Sequence, residues 1–115
     1  MFKQKNRLKK DEDIKRVVKS GRSVFDSHCG LKYLQNGLAE SRFTVVVGLK
    51  VSKKAVDRNR IRRQYREIIR LHLGKMKKGY DVVFLTSKQA LAIDYQEKEE
   101  RLMKVLKKAG LIYKG

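Results

Sequence analysis

At 115 residues, with 30 lysines and arginines against 12 aspartates and glutamates, the chain carries a formal charge of +18. That length suits one domain with a modest core, and the self-repulsion of so many cations points to a polyanionic partner, either nucleic acid or an anionic membrane. A membrane fits less well, because apolar runs such as Val45-Val46-Val47 and Val82-Val83-Phe84-Leu85 are far too short to cross a bilayer.

Residues 1–10 read as a basic arm, with Lys3, Lys5, Arg7, Lys9 and Lys10 around Leu8, which offers a point of docking. No apolar stretch follows its positive residues, so it does not read as a signal peptide. Asp11 is placed to N-cap a first helix, with Glu12 and Asp13 at the positive end of its dipole. Ile14, Val17 and Val18 form its apolar face and Gly21 its stop. Extended segments follow at 23–25 and 29–34, then a turn at Gln35-Asn36-Gly37. The β-branched stretch 42–49 is apolar enough to be a central strand.

Ser52 to Arg70 is the most distinctive stretch. On a helix of about 100° per residue, Arg58, Asn59, Arg62, Arg63, Arg66 and Arg70 fall within one arc of roughly 140°. Ile61, Tyr65, Ile68 and His72 fall on the other side. Such a helix packs one flank on a core and presents guanidiniums on the other. Arginine grips phosphate oxygens in pairs and stacks on bases, and only Asp57 and Glu67 offer acidic partners along the run. The arc reads as a polyanion-binding face.

Lys75–Gly79 reads as a loop and Tyr80–Leu85 as a largely buried strand. Asp94 is spaced to cap a last helix with Leu102, Val105, Leu106 and Ala109 as its stripe, ended by Gly110. The order is α-β-β-β-α-β-α. One strand, the basic helix and the next strand form a crossover unit, which favours a parallel pair in the sheet. The whole chain, 1–115, reads as a single polyanion-binding domain, with the basic arm at 1–10 and the arginine-rich region at 52–73.

No catalytic motif accompanies this. G-x-S-x-G and H-E-x-x-H are absent, and the 48–54 loop lacks the glycine and Lys-Ser/Thr order of a phosphate loop. His28 and His72 have no carboxylate or nucleophile placed beside them by spacing, and both read as structural. The acidic run Asp11-Glu12-Asp13 is explained by a helix start without a metal. Cys29 is the only cysteine, so no disulfide forms within the chain and no zinc cluster is expected. A reduced, cytoplasmic protein without a metal of its own is the expectation.

Three segments together resemble a known family. Asn6-Arg7-Leu8-Lys9-Lys10-Asp11-Glu12-Asp13-Ile14 with Gly21-Arg22-Ser23-Val24 is similar to the opening of the protein subunit of bacterial ribonuclease P. Val51-Ser52-Lys53-Lys54, then Ala55-Val56-Asp57-Arg58-Asn59-Arg60-Ile61-Arg62-Arg63 and Arg66-Glu67, resemble its Arg-Asn-Arg signature, and Lys78-Gly79-Tyr80-Asp81-Val82-Val83 its last strand. The resemblance implies an α+β two-layer sandwich with a mixed four-stranded sheet, whose crossover through the basic helix is left-handed, against the general rule. It also implies that the protein binds a catalytic RNA and the 5′ leader of precursor tRNA. In the family the RNA holds Mg²⁺ and performs the hydrolysis that releases the leader, and no obligate protein partner is implied. Carried over by position, Lys53, Lys54, Arg58, Asn59, Arg60, Arg62, Arg63 and Arg66 face the RNA, with Arg70 continuing the arc.

The family's leader cleft lies between the first helix and the sheet and uses aromatic stacking. Here Ile14 and Val18 stand where two phenylalanines are common, and Lys32 where many members carry a strand tyrosine. Phe25, Tyr33 and Tyr113 are the aromatics expected to compensate, and Lys32 offers charge in place of stacking. Three residues, including a glycine, are missing before Ala55. Two other readings share the charge and size: a ribosomal or ribosome-assembly protein, and a DNA-binding regulator. The signature around Arg58 argues against the first. The second needs a helix-turn-helix, whereas the basic helix follows a strand and a loop.

Overall fold

The computed structural model describes residues 3–113; the first two residues of the expected arm and the last two of the chain lie outside the described residues. The elements are α1 (Asp11–Ser20), β1 (Arg22–Phe25), β2 (Cys29–Gln35), β3 (Arg42–Val46), α2 (Ala55–His72), β4 (Tyr80–Thr86) and α3 (Tyr95–Ala109). Short 3₁₀ turns occupy Gln4–Asn6, Leu73–Lys75 and Lys88–Ala92. The strands form one four-stranded sheet in the order β1-β2-β4-β3. β1–β2 and β2–β4 are antiparallel, and β3–β4 is the parallel pair that the crossover through α2 requires.

Alternation along the strands builds two unequal cores. Leu31, Phe43, Val45, Val82 and Phe84 join Ile61, Tyr65, Ile68 and Ile69 of α2 and Leu102, Val105 and Leu106 of α3 in the main one. Six of these, Leu31, Ile61, Ile68, Ile69, Leu102 and Leu106, are completely buried, each worth about 1.5–3 kcal/mol by transfer from water. Thus the sheet and the α2–α3 pair make the two principal layers. On the reverse face, α1 seals a smaller cluster of Leu8, Val17 and Val83, flanked by Ile14, Leu34 and Leu85.

β3 is an edge strand, not the central strand that its composition suggested; β4 takes the centre. The reason is that the arm covers β3's outer edge. Leu8 N–H donates to the Phe43 carbonyl at 2.9 Å, Arg7 bridges Phe43 in parallel register, and buried Asn6 donates from Nδ2 to the Ser41 carbonyl at 2.9 Å. A covered edge tolerates the apolar sequence of an interior strand. Leu8 therefore docks the arm.

Three local expectations change. Asp11 is the first helical residue and Lys10 stands at the cap position without a side-chain bond, so the acids serve the helix dipole but do not cap. Gly21 does close α1, but with φ −76° it is extended, not left-handed. It is glycine because an added Cβ would lie 2.5 Å from the Val17 carbonyl oxygen and 2.8 Å from that of Tyr33. The basic helix begins at Ala55, not Ser52. Ser52 Oγ instead accepts from Lys54 N–H at 3.1 Å and donates to Asp57 Oδ2 at 3.0 Å, pinning the loop to the first turn. The last helix follows its signals: Asp94 Oδ1 accepts from Glu97 N–H at 2.8 Å and Gly110 ends it at φ 75°.

Candidate nucleic-acid interface

α2 lies along β3 with Ile61, Tyr65, Ile68 and Ile69 inward, so its arginines divide between flanks. Arg58, Arg62, Arg63 and Arg66 have no carboxylate partner among the described residues; Arg58 donates to the Ser52 carbonyl at 2.9 Å and Arg62 to Asn59 Oδ1 at 2.8 Å. Asn59 thus holds an arginine in place without neutralising it. Arg66 is half-buried, and that burial, then Arg62 and Arg7, lower its pKa from the ordinary arginine value. Packing like charges in this way is unfavourable unless a polyanion settles among them. Lys53 and Lys54 are exposed in the loop just before the helix.

Two members of the expected set differ. Arg60 lies 3.9 Å from Asp57 and faces α3, where it opposes the charge of Lys98. Arg70 is held by Glu67, with Nε at 3.1 Å and Nη2 at 2.5 Å. Both are charge-compensated in the free protein. Arg7, which sequence reasoning left in the arm, joins the row through Arg66; only its docking on β3 reveals that.

The face of the sheet under α1 carries the second expected surface. The pairings Val46–Leu85, Leu85–Gly30 and Gly30–Phe25 form one row across all four strands. α1 packs over the neighbouring rows and leaves this one open, with Phe25 49% and Val46 39% exposed and Val18 41% exposed at its margin. Phe25 occupies the place that a Cβ on Gly30 would take, its Cδ1 1.9 Å from that point. Ile14 is half-buried against the Leu8–Val17–Val83 cluster under α1. Lys32 Nζ donates to the Val18 carbonyl at 2.9 Å, so its ammonium fastens the negative end of α1.

Tyr33 and Tyr113 are not brought to this surface. Tyr33 alternates to the opposite face, where it meets Tyr80 edge-on at 6.1 Å and packs on the main core. Tyr113 donates its N–H to the Lys75 carbonyl at 2.9 Å, beside the Met76–Ile112 bridge. That places it beyond the start of β4, whereas Phe25 lies level with β4's end.

The histidines sit in structural roles. His72 Nε2 is 3.0 Å from Glu99, a carboxylate that spacing did not reveal, and this contact links α2 to α3. His28 Nδ1 is 2.7 Å from Ser27 Oγ in a turn that Asp26 organises by accepting from the His28 and Cys29 N–H groups. Burial, then Asp26, pushes the Cys29 thiol up to about 12, leaving it a packed core residue and not a nucleophile. Among the described residues no three His, Cys, Asp or Glu side chains converge into a metal-binding group, and no helix is long and apolar enough to cross a membrane.

Residues 2–110 match the family model described as Ribonuclease P. A ribonuclease P protein component from Pelotomaculum thermopropionicum is 40% identical over 104 residues, covering 90% of this chain and 92% of the relative. One from Alkaliphilus oremlandii is 35% identical over 107 residues, covering 93% of each. The fold is that of the Staphylococcus aureus RNase P protein, with TM-score 0.86, 27% identity and coverage of 94% of this chain and 98% of that one. The Thermotoga maritima RNase P protein gives TM-score 0.81 at 32% identity over 88% of this chain and 97% of its own. An arginine row without acidic partners, the matching sheet and these relatives converge: the chain belongs to the ribonuclease P family, as a protein component of that ribonucleoprotein endoribonuclease.

Proposed function

We propose that the chain holds the RNA of ribonuclease P along α2 and receives the 5′ leader of precursor tRNA on the open row under α1. The observation that carries the first half is the uncompensated set Arg58, Arg62, Arg63 and Arg66, crowded further by Arg7. Phosphates drawn together by an RNA fold would relieve that crowding, and the arginines would replace divalent cations otherwise needed there. Each contact releases counterions and adds a salt-dependent term to affinity. Arg60 and Arg70 would join by exchanging Asp57 and Glu67 for phosphate.

Phe25, Val46, Leu85 and Val18 offer unpaired leader bases a flat apolar strip with one aromatic ring. Stacking contributes roughly 1–3 kcal/mol per base where a ring is available, so one ring supports binding with little discrimination among sequences. The hydrolysis belongs to the RNA, with Mg²⁺ held there; the protein's residues bind, neutralise and orient. A cytoplasmic protein needing no obligate protein partner agrees with this reading.

Cleavage of a 5′-labelled precursor tRNA by a bacterial ribonuclease P RNA at low Mg²⁺, with and without this protein, is the test. Accurate cleavage restored by the protein, with none from the protein alone, supports the reading. Cleavage without the RNA, or no effect on several folded RNAs, overturns it.

A further inference from the structure

A cleft of about 440 Å³ lies at the other end of α2 from the Arg-Asn-Arg sequence, between the docked arm and the 73–78 segment. Lys3 and Lys5 line it from the arm, Arg70 from α2, and Lys77 and Lys78 from the approach to β4, with Glu40 the only acid. Arg70 is already held by Glu67, and the four lysines face one shared acid: Lys5 lies 3.2 Å and Lys78 3.9 Å from the same Glu40 oxygen. Lys3 and Lys77 have no acidic partner among the described residues. The floor is apolar, formed by Phe43, Leu73 and Met76.

The walls are fixed. Asn6 is anchored to Ser41, Ser41 Oγ donates to the Lys77 carbonyl at 2.7 Å, and Tyr80 N–H donates to Ser41 Oγ at 3.0 Å. Ser41, itself buried, therefore ties the arm, the start of β3 and the approach to β4 into one frame. The lysine stems rise from anchored backbone, and only their heads need reorganise to meet a ligand.

We infer that this cleft is a second anion site, beyond the Arg58–Arg66 row and sharing only Arg70 with its arc, that takes a run of consecutive phosphates carried on a nucleotide. The volume falls within the range of small-ligand clefts. Lysines supply point charges to the phosphates, and the apolar floor suits a base or ribose above Leu73. Glu40 acts as a stand-in, holding Lys5 and Lys78 until phosphate replaces it. The same chemistry is offered by a nucleic-acid strand and by a free nucleoside polyphosphate.

The test follows amide shifts of the full-length ¹⁵N-labelled chain during titration with ATP, with inorganic tripolyphosphate, and with an oligouridylate of about ten nucleotides. Saturable shifts at Asn6, Ser41, Gly74, Lys77 and Lys78 are expected. Lys77→Ala with Lys78→Ala should weaken the cleft's binding about tenfold, as lost charge-assisted contacts do. Lys107→Ala with Lys108→Ala, the same charge loss on exposed α3 positions, should leave it unchanged. Glu40→Gln should tighten it, because Lys5 and Lys78 lose their competing carboxylate. Tighter saturation by ATP and tripolyphosphate assigns the cleft to a free polyphosphate, and tighter saturation by the oligonucleotide assigns it to a strand. Shifts confined to residues 59–66 with every probe, or weaker binding in Glu40→Gln, overturn the site. None of these readouts depends on precursor cleavage, so failure here and failure of the α2 reading are distinguishable.

Discussion

Asp81 on the central strand accepts two hydrogen bonds from Arg42 on the neighbouring edge strand, Nε to Oδ1 at 2.8 Å and Nη2 to Oδ2 at 2.6 Å. Asp81 is buried, and its Oδ1 also accepts from Asn36 Nδ2 at 2.9 Å. Arg42 reaches Asp13 of α1 at 3.5 Å as well. One guanidinium therefore joins β3, β4 and α1 at the end of the sheet opposite the proposed leader row. Asp81→Ala leaves that arginine with only the longer contact to Asp13 and should cost about 3–5 kcal/mol in chemical denaturation. A double-mutant cycle with Arg42→Ala should return strong coupling; additive losses would show that the pair acts through something else.

Gly21→Ala should destabilise by about 1–3 kcal/mol, since the new methyl meets two backbone oxygens that cannot swing away. Gly74→Ala, with open space around the Cβ, is the control and should be neutral or stabilising by a few tenths to about 1 kcal/mol. Thermal midpoints measured in parallel decide it.

Arg62→Ala and Arg66→Ala should each weaken assembly with ribonuclease P RNA and lower the salt slope of log K by about one unit. Filter binding across a salt series measures this. Unchanged slopes in both would remove α2 as the RNA face.

Leader recognition should depend on Phe25 and not on Tyr33, because only Phe25 reaches the open row. Phe25→Ala should reduce holoenzyme affinity for leader-bearing substrate by about 1–3 kcal/mol for a lost stacked base. Gly30→Ala should do the same by displacing the ring, with Phe25 itself intact. Ile14→Phe with Val18→Phe should raise discrimination among leader sequences. Fluorescence titration with precursors differing near the cleavage site reads all three variants.

Lys98 is buried, donates to the Ile93 carbonyl at 2.6 Å, and has its pKa lowered by burial first and Arg60 second. The folded chain thus gives up this proton more readily than the unfolded chain, whose lysine keeps the ordinary value of 10.5. The penalty of a buried ammonium is full at neutral pH and is relieved as pH rises toward 10.5. Lys98→Met should therefore be more stable than the parent at pH 7, and the difference should shrink in alkaline buffer. A constant difference across that range would contradict the assignment.

Local chemistry made much of this legible. The inward stripe of α2, the Asp94 cap, the Gly110 stop and the parallel β3–β4 pair all follow from periodicity and turn residues. What escaped depended on contacts distant in sequence. β3 reads as central because nothing within 42–46 announces that residues 6–8 will cover its edge. Arg60 enters the cationic set only through the family resemblance and Arg70 through the arc, and helical geometry shows a face but not which arginine an acid one turn away will hold. Tyr33 reads as a compensating aromatic for the proposed leader surface although it is adjacent to Lys32 and on the opposite face. Strand alternation puts Lys32 there and turns Tyr33 to the core, a signal already present in the period of two.

β4 is the last strand made and lies between β2 and β3 in the interior of the sheet. Until residue 86 has left the ribosome, β2 and β3 have no partner between them, and the arm has only an unsupported edge to grip. A nascent chain shorter than this holds one hairpin and a string of exposed cations. Folding must therefore wait for β4 to insert and then close the sheet, the arm and both cores together, so the RNA-binding surface and the stable fold arrive in the same step.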